Sequence, residues 1–190
     1  MRRFYKINKN LGFSLLESLI ALSIFLIATA AFVNFATQSI RSASIFRNKL
    51  IASNLAQEGM ELVINQRDFN NINSYPPLNL QWLNGLEQCE SDDCTIAILD
   101  ASGDFNLSPC GGSCPALNFD STAMLYNYES GSGTESTPFT RTVRIEYGDS
   151  FDGDPSDVEE VKIIVKVEWQ ERFSAFDVTL EGYLYNWFGI

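Results

Sequence analysis

The stretch Gly12-Phe13-Ser14-Leu15-Leu16-Glu17-Ser18-Leu19-Ile20-Ala21 decides how this chain is built. The residues that lead into it, MRRFYKINKNLG, are basic and polar, and from Ser18 to Ile40 no residue is charged. The apolar run Leu19 to Val33, continued by Phe35 and Ala36 beyond Asn34, approaches the ~20 residues of a membrane-spanning helix. A basic flank followed by an uncharged run is the pattern of an inserted segment whose positive end stays in the cytoplasm. An ordinary secretory signal has a shorter apolar core with its small-residue cleavage site behind it. Here the small residue, Gly12, stands in front, so a cut at that point leaves the apolar run in the mature chain.

Glu17 is the residue this arrangement must explain. An unpaired carboxylate at the start of a membrane run costs roughly 2.5–3.5 kcal/mol on the lenient insertion scale. Cleavage between Gly12 and Phe13 would create a cationic α-amine four residues before Glu17, at the same membrane depth. Within one helix those groups lie about a turn apart and could pair. Pairing with the amine of a neighbouring subunit would instead make assembly the event that neutralises the buried charge.

In these residues the chain resembles type IV prepilins and type II secretion pseudopilins. The resemblance implies cleavage by a prepilin peptidase after Gly12, N-methylation of the new terminal residue Phe13, and a subunit-docking role for Glu17. It also implies a pilin-like α+β fold, a long N-terminal α-helix packed on an antiparallel β-sheet head. The stretch Leu55-Ala56-Gln57-Glu58-Gly59-Met60-Glu61 is similar to the corresponding helix of PilV-type minor prepilins. Many major pilins carry a proline in the first half of this helix, where the present chain has Asn34 and no proline; that departure points to a minor subunit. The implied organisation is a leader (1–12), a hydrophobic transmembrane and assembly half-helix (13–40), an amphipathic half-helix (41–66) and a globular head (67–190).

Beyond the membrane run, Arg41, Arg47 and Lys49 restore charge while helix formers continue without glycine until Gly59. Ile45, Leu50, Leu55, Ala56, Met60, Val63 and Ile64 fall on one stripe, as expected of a helix packed on a domain. One helix from about Ser14 to Gln66 is predicted, with a connecting loop over Asp68–Leu80, where Asn, Ser and Pro take over. In the last third, Phe139, Arg141, Val143, Ile145 and Tyr147 alternate with polar residues, and Val161, Ile163, Val165, Val167 and Trp169 alternate with Lys162, Ile164, Lys166 and Glu168. These are strands with one buried face. A third strand, Ala175–Leu184, follows a tight turn near Gln170–Phe173, so the sheet (about 139–187) is expected to be an antiparallel meander.

Cys89, Cys94, Cys110 and Cys114 lie within 26 consecutive residues. In an exported chain an even, local set reads as two disulfides in a loop-rich region (about 85–120). The pairs Cys89–Cys94 and Cys110–Cys114 are favoured as local, although four cysteines allow three pairings. A zinc site is the alternative, against which stand the unusual C-x4-C and C-x3-C spacings. Cys94–Leu99 reads as a strand and Ser108–Pro115 as turns.

Net charge is −11, and removal of the leader's Arg2, Arg3, Lys6 and Lys9 would take it to −15. Such a surface repels phosphate backbones, so no direct nucleic-acid binding is expected of the head. The chain has no histidine, which removes the commonest general base and metal ligand. No carboxylate pair has a spacing that singles it out as catalytic, so neither enzymatic activity nor a cofactor is expected. Asp149, Asp152, Asp154 and Asp157 crowd one loop; it reads as a solvated acidic hairpin, with calcium as the alternative, because it lacks the full EF-hand spacing and terminal Glu. Tyr183, Tyr185, Trp187 and Phe188 read as core packing of the last strand, or else as a contact surface.

The function these features imply is a minor pilin with an extracytoplasmic head, carried into a cell-surface filament. Its partners would be other pilin subunits, a prepilin peptidase and the cytoplasmic membrane. A secretion pseudopilin and a membrane-anchored binding module, or adhesin, are the alternatives.

Overall fold

A computed structural model describes residues 14–73, 82–98, 105–148 and 158–186. Helix α1, Leu15–Asn73, contributes to two compact units, one ending at Phe46 and one beginning at Arg47. The second unit also holds a short helix α2 (Gln88–Ser91) and strands β1 (Cys94–Ile98), β2 (Phe105–Pro109), β3 (Asn118–Asp120), β4 (Leu125–Asn127), β5 (Thr134–Ser136), β6 (Thr140–Tyr147), β7 (Glu160–Glu171) and β8 (Ser174–Tyr185). Five strands form an antiparallel sheet in the order β2-β1-β6-β7-β8, and β4-β3-β5 form a small second one. The architecture is the α+β, pilin-like one: a long N-terminal helix followed by an antiparallel sheet.

The β6-β7-β8 meander has the predicted register logic. Val143 pairs with Val165 and Val165 with Leu180, so one set of alternating residues faces inward across all three strands. Against that face α1 presents Ala52, Leu55, Ala56, Leu62 and Val63, which join Val143, Ile145, Val161, Ile163, Val165 and Val167 in one buried core. At the closest approach stands Gly59, where an added Cβ would lie 2.9 Å from Val165 Cγ1 and 3.1 Å from Arg141 Cδ.

Arg141 is the one charged side chain on the inward alternation of β6, and it is fully buried. Its Nη1 donates to Leu55 O (3.0 Å) and meets Glu58 Oε1 at 3.1 Å, and its Nη2 donates to Ile96 O. One guanidinium thus ties α1, β6 and β1 together. Tyr128 adds a hydroxyl bond to Arg141 O at 3.2 Å, and burial raises that phenol's pKa.

Two expectations need correction. Helix α1 runs seven residues past Gln66, to Asn73. Arg67, Asn70 and Asn71 are buried there, and Asn70 Nδ2 donates to Trp82 O (3.0 Å) and Asn84 O (2.9 Å). Tertiary hydrogen bonds hold as helix what composition reads as loop. In the last strand, Tyr183 and Tyr185 do not pack in the core: they are 57% and 44% exposed, while Leu184 between them is 3% exposed. The register sets Leu180, Gly182 and Leu184 inward, because the two-residue turn at Arg172-Phe173 fixes the phase; Trp187 and Phe188 lie outside the described residues.

Gly59→Ala tests the close approach. Alanine gains about 1 kcal/mol in helix propensity, whereas overpacking a filled core costs about 1–3 kcal/mol. The full-length variant is expected to melt below the wild type, followed by near-ultraviolet circular dichroism in detergent; a higher melting temperature would show that α1 and the sheet are not packed as described.

Candidate functional site

The candidate functional element is the first part of α1. Ile24, Phe25, Leu26 and Ile27 point in successive directions about 100° apart around the helix, and they are 62%, 62%, 58% and 71% exposed. This stretch is therefore apolar on every side, and a helix of that kind needs an apolar surrounding. It is long and apolar enough to cross a membrane. Each large side chain moved out of water is worth about 1.5–3 kcal/mol.

The hydroxyls in the run from Ser23 to Ser39 are satisfied locally. Ser23 Oγ donates to Ile20 O (2.8 Å), Thr29 Oγ1 to Leu26 O (2.9 Å) and Phe25 O (3.0 Å), Thr37 Oγ1 to Asn34 O (2.9 Å), and Ser39 Oγ to Phe35 O (2.9 Å). Hydroxyls bonded back to the preceding turn need no partner from water or from another helix.

Glu17 is different. It occupies the first turn of α1 and is exposed, and it is the sole charged residue between Ser14 and Ile40. Ser14 Oγ accepts the amide of Leu16 at 3.3 Å, as a helix N-cap does. Ser14 and Glu17 therefore have the spacing of a capping box, a signal in the sequence that the reading above did not use. A carboxylate in a helix's first turn is also favoured by the helix dipole, by about 0.3–1 kcal/mol. That is less than the insertion cost of roughly 2.5–3.5 kcal/mol, so capping alone does not account for Glu17. Gly12 and Phe13, the expected cleavage pair, lie outside the described residues.

The family model of the prokaryotic N-terminal methylation motif matches residues 7–33. The chain carries a prepilin-type N-terminus. No curated protein and no solved structure matches it. The motif supports a type IV pilin or pseudopilin, a structural subunit, and with the apolar α1 it fits a prepilin-like protein held in the membrane by a single pass.

In the head of this prepilin-like chain, Cys89 is joined to Cys94 and Cys110 to Cys114, and none of the cysteines is free, so they form no zinc site. The two small rings are docked on each other: Asp92 Oδ2 accepts the Gly111 amide at 2.7 Å and Asp93 O accepts the Cys110 amide at 2.8 Å. Asp149, Asp152, Asp154 and Asp157, the calcium alternative, lie outside the described residues. Among the described residues no group of acids and cysteines is arranged to hold a metal.

The outward face of the sheet carries paired charges. Lys162 Nζ stands 3.1 Å from Glu181 and 3.8 Å from Glu146, Lys166 Nζ 2.6 Å from Glu168, and Arg144 Nη1 3.1 Å from Asp93. Hydrogen bonds to Glu181 and Glu168 raise the pKa of Lys162 and Lys166. Tyr147 is pushed up to about 12, chiefly by burial and then by Glu90 and Glu87. None of these groups has the geometry of a nucleophile with an adjacent base.

The two disulfides differ in burial. Cys89 and Cys94 are fully buried, whereas Cys110 and Cys114 are half-buried. Both close rings of similar size, so chain entropy contributes about 2 kcal/mol for each. Replacing Cys89 and Cys94 with serine also buries two hydroxyls, at about 1–3 kcal/mol apiece when unpartnered. The Cys89→Ser/Cys94→Ser variant is expected to melt lower than Cys110→Ser/Cys114→Ser; equal melting temperatures would contradict the burial described.

Proposed function

We propose that the chain is a minor pilin of a type IV pilus. A prepilin peptidase cuts it after Gly12, the new α-amine of Phe13 is methylated, and α1 holds the subunit in the cytoplasmic membrane until it enters or primes a filament. The observation that carries this reading is that the first stretch of α1, matched by the methylation motif, is exposed and apolar on every side and holds a single carboxylate, Glu17. A secreted enzyme needs no such surface, and a plain anchor needs no charge in it.

Glu17 would dock the subunit. An α-amine has a pKa near 8 and stays cationic at neutral pH, as does its methylated form. In an apolar bundle Glu17 of one subunit and the Phe13 amine of the next would neutralise each other, and removing one member of such a buried pair costs about 3–5 kcal/mol. The absence of proline from the first half of α1 supports a minor role over a major one.

Glu17→Gln separates docking from capping, because glutamine still serves at the capping-box position but carries no charge. In cells with a complete pilus system the variant is expected to be processed and membrane-inserted, yet recovered in sheared filaments at least about tenfold less than the wild type. Wild-type recovery of Glu17→Gln would reduce Glu17 to a helix cap.

A further inference from the structure

Strand β8 is an edge. Over 12 residues it pairs with β7 without a bulge, from Glu171↔Ser174 to Glu160↔Tyr185, and among the described residues β7 is its sole neighbour in the sheet. Glu171 and Ser174 close a two-residue hairpin, so their backbone groups bond each other. Alternation then turns the amides and carbonyls of Phe176, Val178, Leu180 and Gly182 toward β7, and those of Ala175, Asp177, Thr179, Glu181 and Tyr183 away from it. The outward row is exposed, and among the described residues no backbone bond reaches it.

Edges of this length are ordinarily blunted by proline, lysine or a bulge. Strand β8 has none of these. Its side chains show what would complete it. On the inward face Phe176, Val178 and Leu180 are only partly buried at the margin of the core, so an added strand would bury them with apolar residues of its own. On the outward face stand Asp177 and Glu181. Asp177 accepts from the hydroxyl of Thr179 at 3.3 Å and lies within the field of Lys166, whose ammonium is paired with Glu168, and Glu181 shares Lys162 with Glu146. A second copy of β8 would set like charges against these in a chain already at −11, whereas a cationic strand matches them.

We propose that the free edge of β8, Ala175 to Tyr183, accepts an extended segment of a partner polypeptide as a sixth strand, one that alternates apolar residues with lysine or arginine. Main-chain hydrogen bonds would supply affinity and the two alternating faces specificity, as in other cases of strand addition. The edge belongs to the head alone, so this assignment stands or falls independently of what α1 assembles with.

The test uses the full chain in nonionic detergent and a fluorescent nine-residue peptide alternating valine with lysine. Saturable binding is expected, weaker by about tenfold or more for a scrambled isomer, for a valine–glutamate peptide and for the Thr179→Pro variant. Thr179→Pro removes an outward amide and leaves every amide on the β7 side in place, a substitution edge strands tolerate. The double variant Asp177→Lys/Glu181→Lys serves where the proline variant melts early, and is expected to prefer the glutamate peptide. Equal binding of the scrambled peptide, or unchanged binding by Thr179→Pro, would overturn the proposal. Concentration-dependent dimers of the wild type that Thr179→Pro abolishes would also overturn it, giving the edge to a second copy.

Discussion

An apolar helix without a polar side cannot be left in water, and the functional account rests on that constraint. Ile24 to Ile27 alone expose large side chains in every direction, and burying four of them is worth on the order of 6–12 kcal/mol. That exceeds what Glu17 costs to insert, so the helix fits a membrane despite its charge. The carboxylate then sits where water is scarce and a cation is worth most. The serines and threonines from Ser23 to Ser39 cannot answer it, since their hydroxyls are already bonded to the helix's own carbonyls. On the proposed reading the cation that answers it is the α-amine of Phe13 on a neighbouring subunit.

The head solves a different problem with a similar device. Arg141 is a charge in a core, held at both terminal nitrogens by Glu58 and the carbonyls of Leu55 and Ile96, while its Nε has no hydrogen-bond partner among the described residues. Replacing it with an apolar residue of like volume need not weaken a core, so its contribution is better described as registry. It sets which residues of α1 lie over which strands, and Gly59 gives it the room. The disulfide rings do comparable work where strands are short. Cys89–Cys94 fastens α2 to β1, and the ring closed by Cys110–Cys114 is docked on the turn between them.

The meander was legible because its inward residues are strongly alternating and β-branched, and α1 because its apolar stripe is long. What escaped the reading depends on contacts that only folding brings together. Arg141 falls on the inward alternation, but its role is not readable from the sequence, because its partners come from α1 and β1, far away along the chain. The last turn of α1 looked like a loop by composition, and the side-chain bonds of Asn70 reverse that. Strands β3, β4 and β5 are three residues each, too short for any period to register. The tyrosines of β8 looked like core because aromatic residues at a strand's end usually are, and the phase set at Arg172-Phe173 turns them outward. At the site itself Glu17 stands out as an anomaly of charge against hydropathy, and the Ser14–Glu17 spacing is the sequence signal of its cap.

The central claim is that the chain works only after its N-terminus has been remade between Gly12 and Phe13. The most direct measurement is intact mass with N-terminal sequencing of the protein recovered from cells that carry a complete pilus system. The account predicts a chain that begins at Phe13, carries one added methyl group and lacks the four thiol hydrogens of the cysteines that form its two disulfides. A membrane-inserted chain with the Gly12–Phe13 bond intact would contradict it, leaving Glu17 without its cation and α1 as an anchor alone.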